Sequence, residues 1–150
     1  MDKMEKDGDI RSEWPQSEWR KLGFYYDIDE SSKEWLLIGS RFGLRRFSGL
    51  LREYSADSRN AKMSEHEHIG PYMDIEVMTW TEAGMDGHAI FGTLKDLRHL
   101  AALVDRKIAT LEPGQKARIR EEFAASAEYT LVLEMREDSF DPASLDEDLV

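Results

Sequence analysis

His66-Glu67-His68 sets two imidazoles at positions i and i+2, a spacing that turns both toward one side of an extended segment and lets them share a metal ion. A third ligand is needed. Read as a hairpin about a turn near residue 84, strands 72–80 and 88–92 place His88 beside Trp80. His66 and His68 then lie roughly eight residues away, which at about 3.3 Å per residue is over ~20 Å. His99 falls on the wetter side of a helix, and acids such as Glu65 could stand in as the third ligand. The pair therefore reads as loop histidines, exposed or bonded to backbone, with a metal-dependent enzyme built on His66 and His68 as the alternative.

A second group of polar side chains surrounds the next strand. Asp74 and Glu76 share one face, with Cα atoms about 7 Å apart, and Glu82 and Asp86 follow in the adjacent turn. Paired carboxylates suit general acid–base work, yet alternating acids also keep a solvent-facing or edge strand from aggregating. Tyr72, Met78 and Trp80 lie on the same face. Aromatic anchors among steering charges are the composition of an interaction surface. A covering layer such as segment 14–28 is the other reading. The residues expected to contact a partner are thus Tyr72, Asp74, Glu76, Met78, Trp80, Glu82 and Asp86.

Other chemistries lack their residues. The chain has no cysteine, which removes disulfides, thiol nucleophiles and Cys-ligated zinc or iron–sulfur centres. There is no Gly-x-Ser-x-Gly elbow, no Gly-x-x-x-x-Gly-Lys loop and no Gly-x-Gly-x-x-Gly fingerprint. Gly39-Ser40-Arg41-Phe42-Gly43 has the wrong spacing for a nucleophile, and Ser40 suits a helix N-cap. No catalytic residue and no cofactor is assigned.

Periodicity gives the scaffold. Alternation over 22–28 predicts a strand, and 35–38, apolar on both faces, predicts an interior one. Leu44, Phe47, Leu51 and Tyr54 predict a helix over about 41–55, weakened by Gly43 and Gly49. Segment 56–70 has loop composition. After the 72–80 and 88–92 strands, Thr93 and Asp96 form a capping-box pair, and Leu94, Leu97, Leu100, Val104, Ile108 and Leu111 predict the cleanest helix, stopped by Pro113-Gly114. Residues 116–123 fit a short strand or a helical turn, and 129–135 is a final strand. The expected class is α+β, with two helices packed on one face of a mostly antiparallel sheet. A split βαβ, ferredoxin-like strand order follows, with 72–80 and 129–135 at the edges and an extra N-terminal strand.

At 150 residues the chain fits a single domain, and segments 1–13 and 137–150 read as loosely ordered polar and acidic tails. The net charge is −11, and from Glu137 onward six acids occur with no base. That balance argues against nucleic acid as a partner, and the arginines and lysines of the two helices lack an RNA-binding signature. No apolar run reaches the ~20 residues of a membrane span, and the charged start lacks the apolar stretch of a secretory signal, so a cytoplasmic location is expected.

From Phe24 to Asp141 the chain resembles a family of small bacterial cytoplasmic α+β proteins similar to the immunity proteins that protect bacteria against polymorphic toxins. Trp35-Leu36-Leu37-Ile38-Gly39-Ser40, the 64–72 segment around His66-Glu67-His68-x-Gly70-Pro71-Tyr72, and the strand from Tyr129 to Glu137 carry the resemblance. It implies a non-enzymatic binding protein and assigns no residue a role. An acidic surface points to a basic protein as its partner. The alternative in another class is a small-molecule-sensing or regulatory ferredoxin-like domain acting as a homodimer.

Overall fold

The structure, a computed structural model, describes residues 14–149, so the lead-in over 1–13 lies outside the described residues. Its elements run α1 (14–22), β1 (Phe24–Asp29), β2 (Glu34–Gly39), α2 (Arg41–Ala56), β3 (His66–Ile69), β4 (Ile75–Thr79), β5 (Gly84–Met85), β6 (Ile90–Gly92), α3 (Leu94–Thr110), β7 (Lys116–Ile119) and β8 (Thr130–Met135). The class is α+β. The single ferredoxin-like sheet is corrected to two mixed sheets of four strands, ordered β1-β2-β8-β7 and β3-β4-β6-β5.

Both sheets follow one plan. A central parallel pair, β2 with β8 or β4 with β6, is flanked on each side by an antiparallel edge strand. The strands apolar on both faces, at 35–38 and 88–92, take central places, one in each sheet. β4 and β8 are central as well, not edges as expected. The hairpin expected between 72–80 and 88–92 is replaced because the two-residue β5 fills the antiparallel place beside β6, leaving β4 to pair with β6 in parallel. The Asp86 carboxylate holds the intervening turn by accepting from the backbone N–H groups of His88 (2.8 Å) and Ala89 (2.9 Å).

The two long helices start at the caps their sequences provide. Ser40 Oγ accepts from Gly43 N–H at 3.1 Å, and the Thr93–Asp96 capping box closes in both directions. α2 lies against β1, β2 and β8, while α3 lies against α2, β6 and β7. Leu44, Phe47 and Leu51 of α2 and Leu97, Leu100 and Ile108 of α3 join Trp35, Leu37 and Leu131 of one sheet and Ile75 and Ile90 of the other in one apolar cluster. Each such side chain fully removed from water contributes about 1.5–3 kcal/mol.

Much of the basic helix surface is spent on holding these elements. The Arg41 guanidinium donates to the carbonyls of Ile108 and Leu111, adding to the Leu111 N–H bond to Ile108 that closes the end of α3. Arg52 and Ser48 both bond to Asp105, which clamps α2 to α3. Arg46 donates to the Lys21 carbonyl at 2.9 Å and so ties α2 to α1.

The acidic C-terminal segment runs as a strap over 137–149. Pro142 and Ala143 are buried, and Asp146 is only 5% exposed although it carries a carboxylate. Arg20 of α1 pairs with Asp141 at 3.0 Å and holds the Asp141 carboxyl below its ordinary range.

Candidate functional site

Burying Asp146 demands donors, and the chain supplies three. Its Oδ2 accepts from Trp19 Nε1 at 2.7 Å and from the Tyr72 hydroxyl at 2.5 Å, while Oδ1 accepts from Asp148 N–H at 2.9 Å. This knot joins α1, the 70–74 turn and the C-terminal segment. The Trp19 ring also packs on Tyr25 and Tyr26 of β1, with centroids 5.0 and 4.9 Å apart.

Beside the knot lies a cleft of about 520 Å³ between edge strand β1 of the first sheet and the β3–β4 side of the second. Trp19, Tyr25, Tyr26 and Tyr72 form its aromatic wall. Asp27, Asp74, Glu76, Asp146 and Asp148 add five carboxylates, and no lysine or arginine among the described residues lines it. His68 and His88 complete the polar rim. A concave, aromatic and uniformly acidic surface suits a cation with an apolar stem, because ring faces and carboxylates both attract positive charge.

The structure divides the expected contact residues into two groups. Tyr72, Asp74 and Glu76 line the cleft. Trp80, Glu82 and Asp86 border a separate, smaller depression with Phe91 and Glu128 at the far end of β4. Met78 is half-buried between them, opposite His66 in the β3–β4 pair. The N-terminal helix reaches the Tyr72 end of this strand face through Trp19, and Trp80 remains 42% exposed. Trp19, Tyr25, Tyr26 and Asp27 are site residues that strand and helix patterns did not single out.

The histidines are rearranged relative to expectation. Segment 66–69, read as loop, is β3, paired antiparallel with β4 so that His68 faces Glu76. The ligating atoms of His66, His68 and Glu76 lie within 4.8 Å of one another. His88 is corrected from a position beside Trp80: the parallel β4–β6 register carries it to the opposite end of β4, where it shares the cleft with His68. His99 faces the Glu122 carbonyl at 3.2 Å and takes no part in the site.

All five tyrosines are pushed above their ordinary value of 10.0, burial being the first cause in each. For Tyr26 the next cause is the Asp74 charge, and for Tyr72 it is the hydrogen bond with Asp146. An unfolded chain ionises these phenols near 10.0, whereas the folded chain keeps its protons to higher pH. Their contribution to stability is therefore complete below that pH and declines as the pH rises through the folded values. In an alkaline titration, phenolate absorbance should appear at higher pH in the folded protein than in the urea-unfolded chain. Five phenols ionising near 10.0 in a still-folded protein would contradict this.

Comparison of the chain with protein-family models, with curated proteins and with solved structures finds no match.

Proposed function

We propose that this is a non-enzymatic binding protein of the immunity type, which engages a basic protein partner through the cleft between β1 and the β3–β4 pair. The observation that carries the reading is the lining: five carboxylates and four aromatic side chains with no lysine or arginine among them. Lysine or arginine side chains of the partner enter the cleft, lay their stems on Tyr25 and Tyr72, and place their charges among Asp27, Asp74 and Asp148. The protein's overall charge of −11 steers such a partner before contact. A cytoplasmic location belongs to the same reading, and no helix among the described residues is long and apolar enough to cross a membrane.

A short arginine peptide is the probe, titrated into the full chain at low salt while tryptophan fluorescence is followed. Binding is expected, weakening as salt screens the charges. Asp27 and Asp74 are both exposed, so reversing them leaves the core intact. The double variant Asp27→Lys/Asp74→Lys should bind the peptide at least about tenfold more weakly, which corresponds to about 1.4 kcal/mol. Failure of the unaltered protein to bind, or equal binding by the variant, defeats the proposal.

A further inference from the structure

We infer that His66, His68 and Glu76 form a binding site for a divalent transition-metal ion of the zinc class. The inference stands independently of the cleft's role in binding a basic partner.

The backbone brings the three side chains to one face. His66 and His68 alternate on β3, and the register sets Met78 opposite His66 and Glu76 opposite His68. Residues on the other face of β4, Ile75 and Val77, are buried in the core. The imidazoles stand nearly perpendicular, 86° between planes, with centroids 5.2 Å apart. Their ligating atoms and those of Glu76 fall within 4.8 Å of one another. Bonds of about 2.1 Å at a tetrahedral ion require roughly 3.4 Å between ligand atoms. The two exposed histidines close that difference on the half-buried Glu76 by small torsional adjustments.

The hydrogen bonds of the two histidines orient them for a ligand. His66 Nδ1 lies 3.0 Å from the Ser64 carbonyl, and His68 Nδ1 lies 3.2 Å from the Met73 carbonyl. A carbonyl oxygen can only accept, so each Nδ1 carries the hydrogen, and in the neutral ring the lone pair is left on Nε2. Metal-binding histidines are oriented in just this way by an acceptor on the other ring nitrogen. Both carbonyls belong to residues with left-handed backbone, Ser64 at φ 73° and Met73 at φ 60°. Among the described residues other than glycine only Lys33, in the β1–β2 turn, shares that conformation. Strain of this kind persists where surrounding structure enforces it, and here it presents two acceptors to two histidines.

Two imidazoles and one carboxylate favour zinc and its neighbours over calcium or magnesium, which prefer all-oxygen shells. Three protein ligands leave a coordination position open. His68 and Glu76 also line the cleft, so the ion sits at its rim, where a donor atom from water or a bound molecule can complete the shell.

The test is titration of the full, untagged, metal-free chain with zinc in competition with a chromophoric chelator. One equivalent is expected to bind. His68→Ala should weaken that binding by about 100-fold and Glu76→Gln by about tenfold, while His99→Ala leaves it unchanged. Cobalt(II) supplies a readout separate from stability: its visible bands should be intense and four-coordinate in the unaltered protein and lost in His68→Ala, with circular dichroism showing that the variant is folded. Less than one equivalent of zinc bound by the unaltered protein, or unchanged affinity in folded His68→Ala and Glu76→Gln variants, overturns the inference.

Discussion

Gly43→Ala is expected to cost about 3 kcal/mol or more of folding stability, at the upper end of what overpacking a closed contact costs. A Cβ at position 43 would stand 2.0 Å from the Gly23 carbonyl oxygen and 2.9 Å from its carbon. Both are backbone atoms, so no side-chain rotation relieves the clash. Gly23 is itself fixed, at φ +90°, where it ends α1 and donates to the Trp19 carbonyl at 2.9 Å. Accommodation must therefore push α1 away from α2, and Trp19 with it. Gly49, six residues along the same helix, has nothing within 4 Å of the Cβ it lacks. Gly49→Ala should stabilise by about 0.5–1 kcal/mol through helix propensity alone. Urea midpoints of the two variants should move in opposite directions, and movement in the same direction would refute the close-approach account of Gly43.

Asp146→Ala should remove about 2–4 kcal/mol, because hydrogen bonds to a buried charge are worth more than neutral ones and their loss strands the donors. Trp19 is 2% exposed, so without the carboxylate its indole N–H stays inside with no acceptor. Tyr72 loses the same oxygen. The C-terminal strap loses its inward polar anchor and keeps buried Pro142 and Ala143 with the exposed Arg20–Asp141 pair. Limited proteolysis should then cut within 137–149 while the remainder of the chain resists. Asp146→Asn retains an acceptor oxygen and should fall between the alanine variant and the unaltered protein. An Asp146→Ala protein with the original urea midpoint and uncut strap would show that the knot contributes nothing.

The parts of this fold that sequence exposes are those that bury a periodic face. α3 could be bounded from its leucines, its Thr93 cap and Pro113-Gly114, since each signal is local. β3 could not: His66, Glu67 and His68 are exposed and Ile69 is only half-buried, so no apolar alternation marks the strand and only pairing with β4 defines it. That pairing is also why Glu76 escaped notice as a partner for the histidines. α1 left a fainter trace that could have been read, with Pro15 near its visible start and Gly23 just after its end. The cleft was out of reach, because Trp19, Asp27, Asp74 and Asp148 come from four separate elements. Strand order failed on β5, whose two residues are too few for periodicity yet decide how β4 and β6 pair.

The plan of the sheets also sets an order in time. The second sheet closes entirely within residues 66–92, whereas β2 in the first sheet waits for β8, with Glu34 aligned to Thr130. The Trp19–Asp146 bond spans 127 residues. At about 5–20 residues per second, a ribosome finishing β2 needs roughly 5–20 s more before β8 exists. Throughout that interval one edge of an apolar strand has no neighbour. Between residue 92 and β8, every strand of the second sheet has been made while the first still lacks a central strand, and an unpaired apolar strand edge is open to strand-to-strand association before the acidic strap is translated.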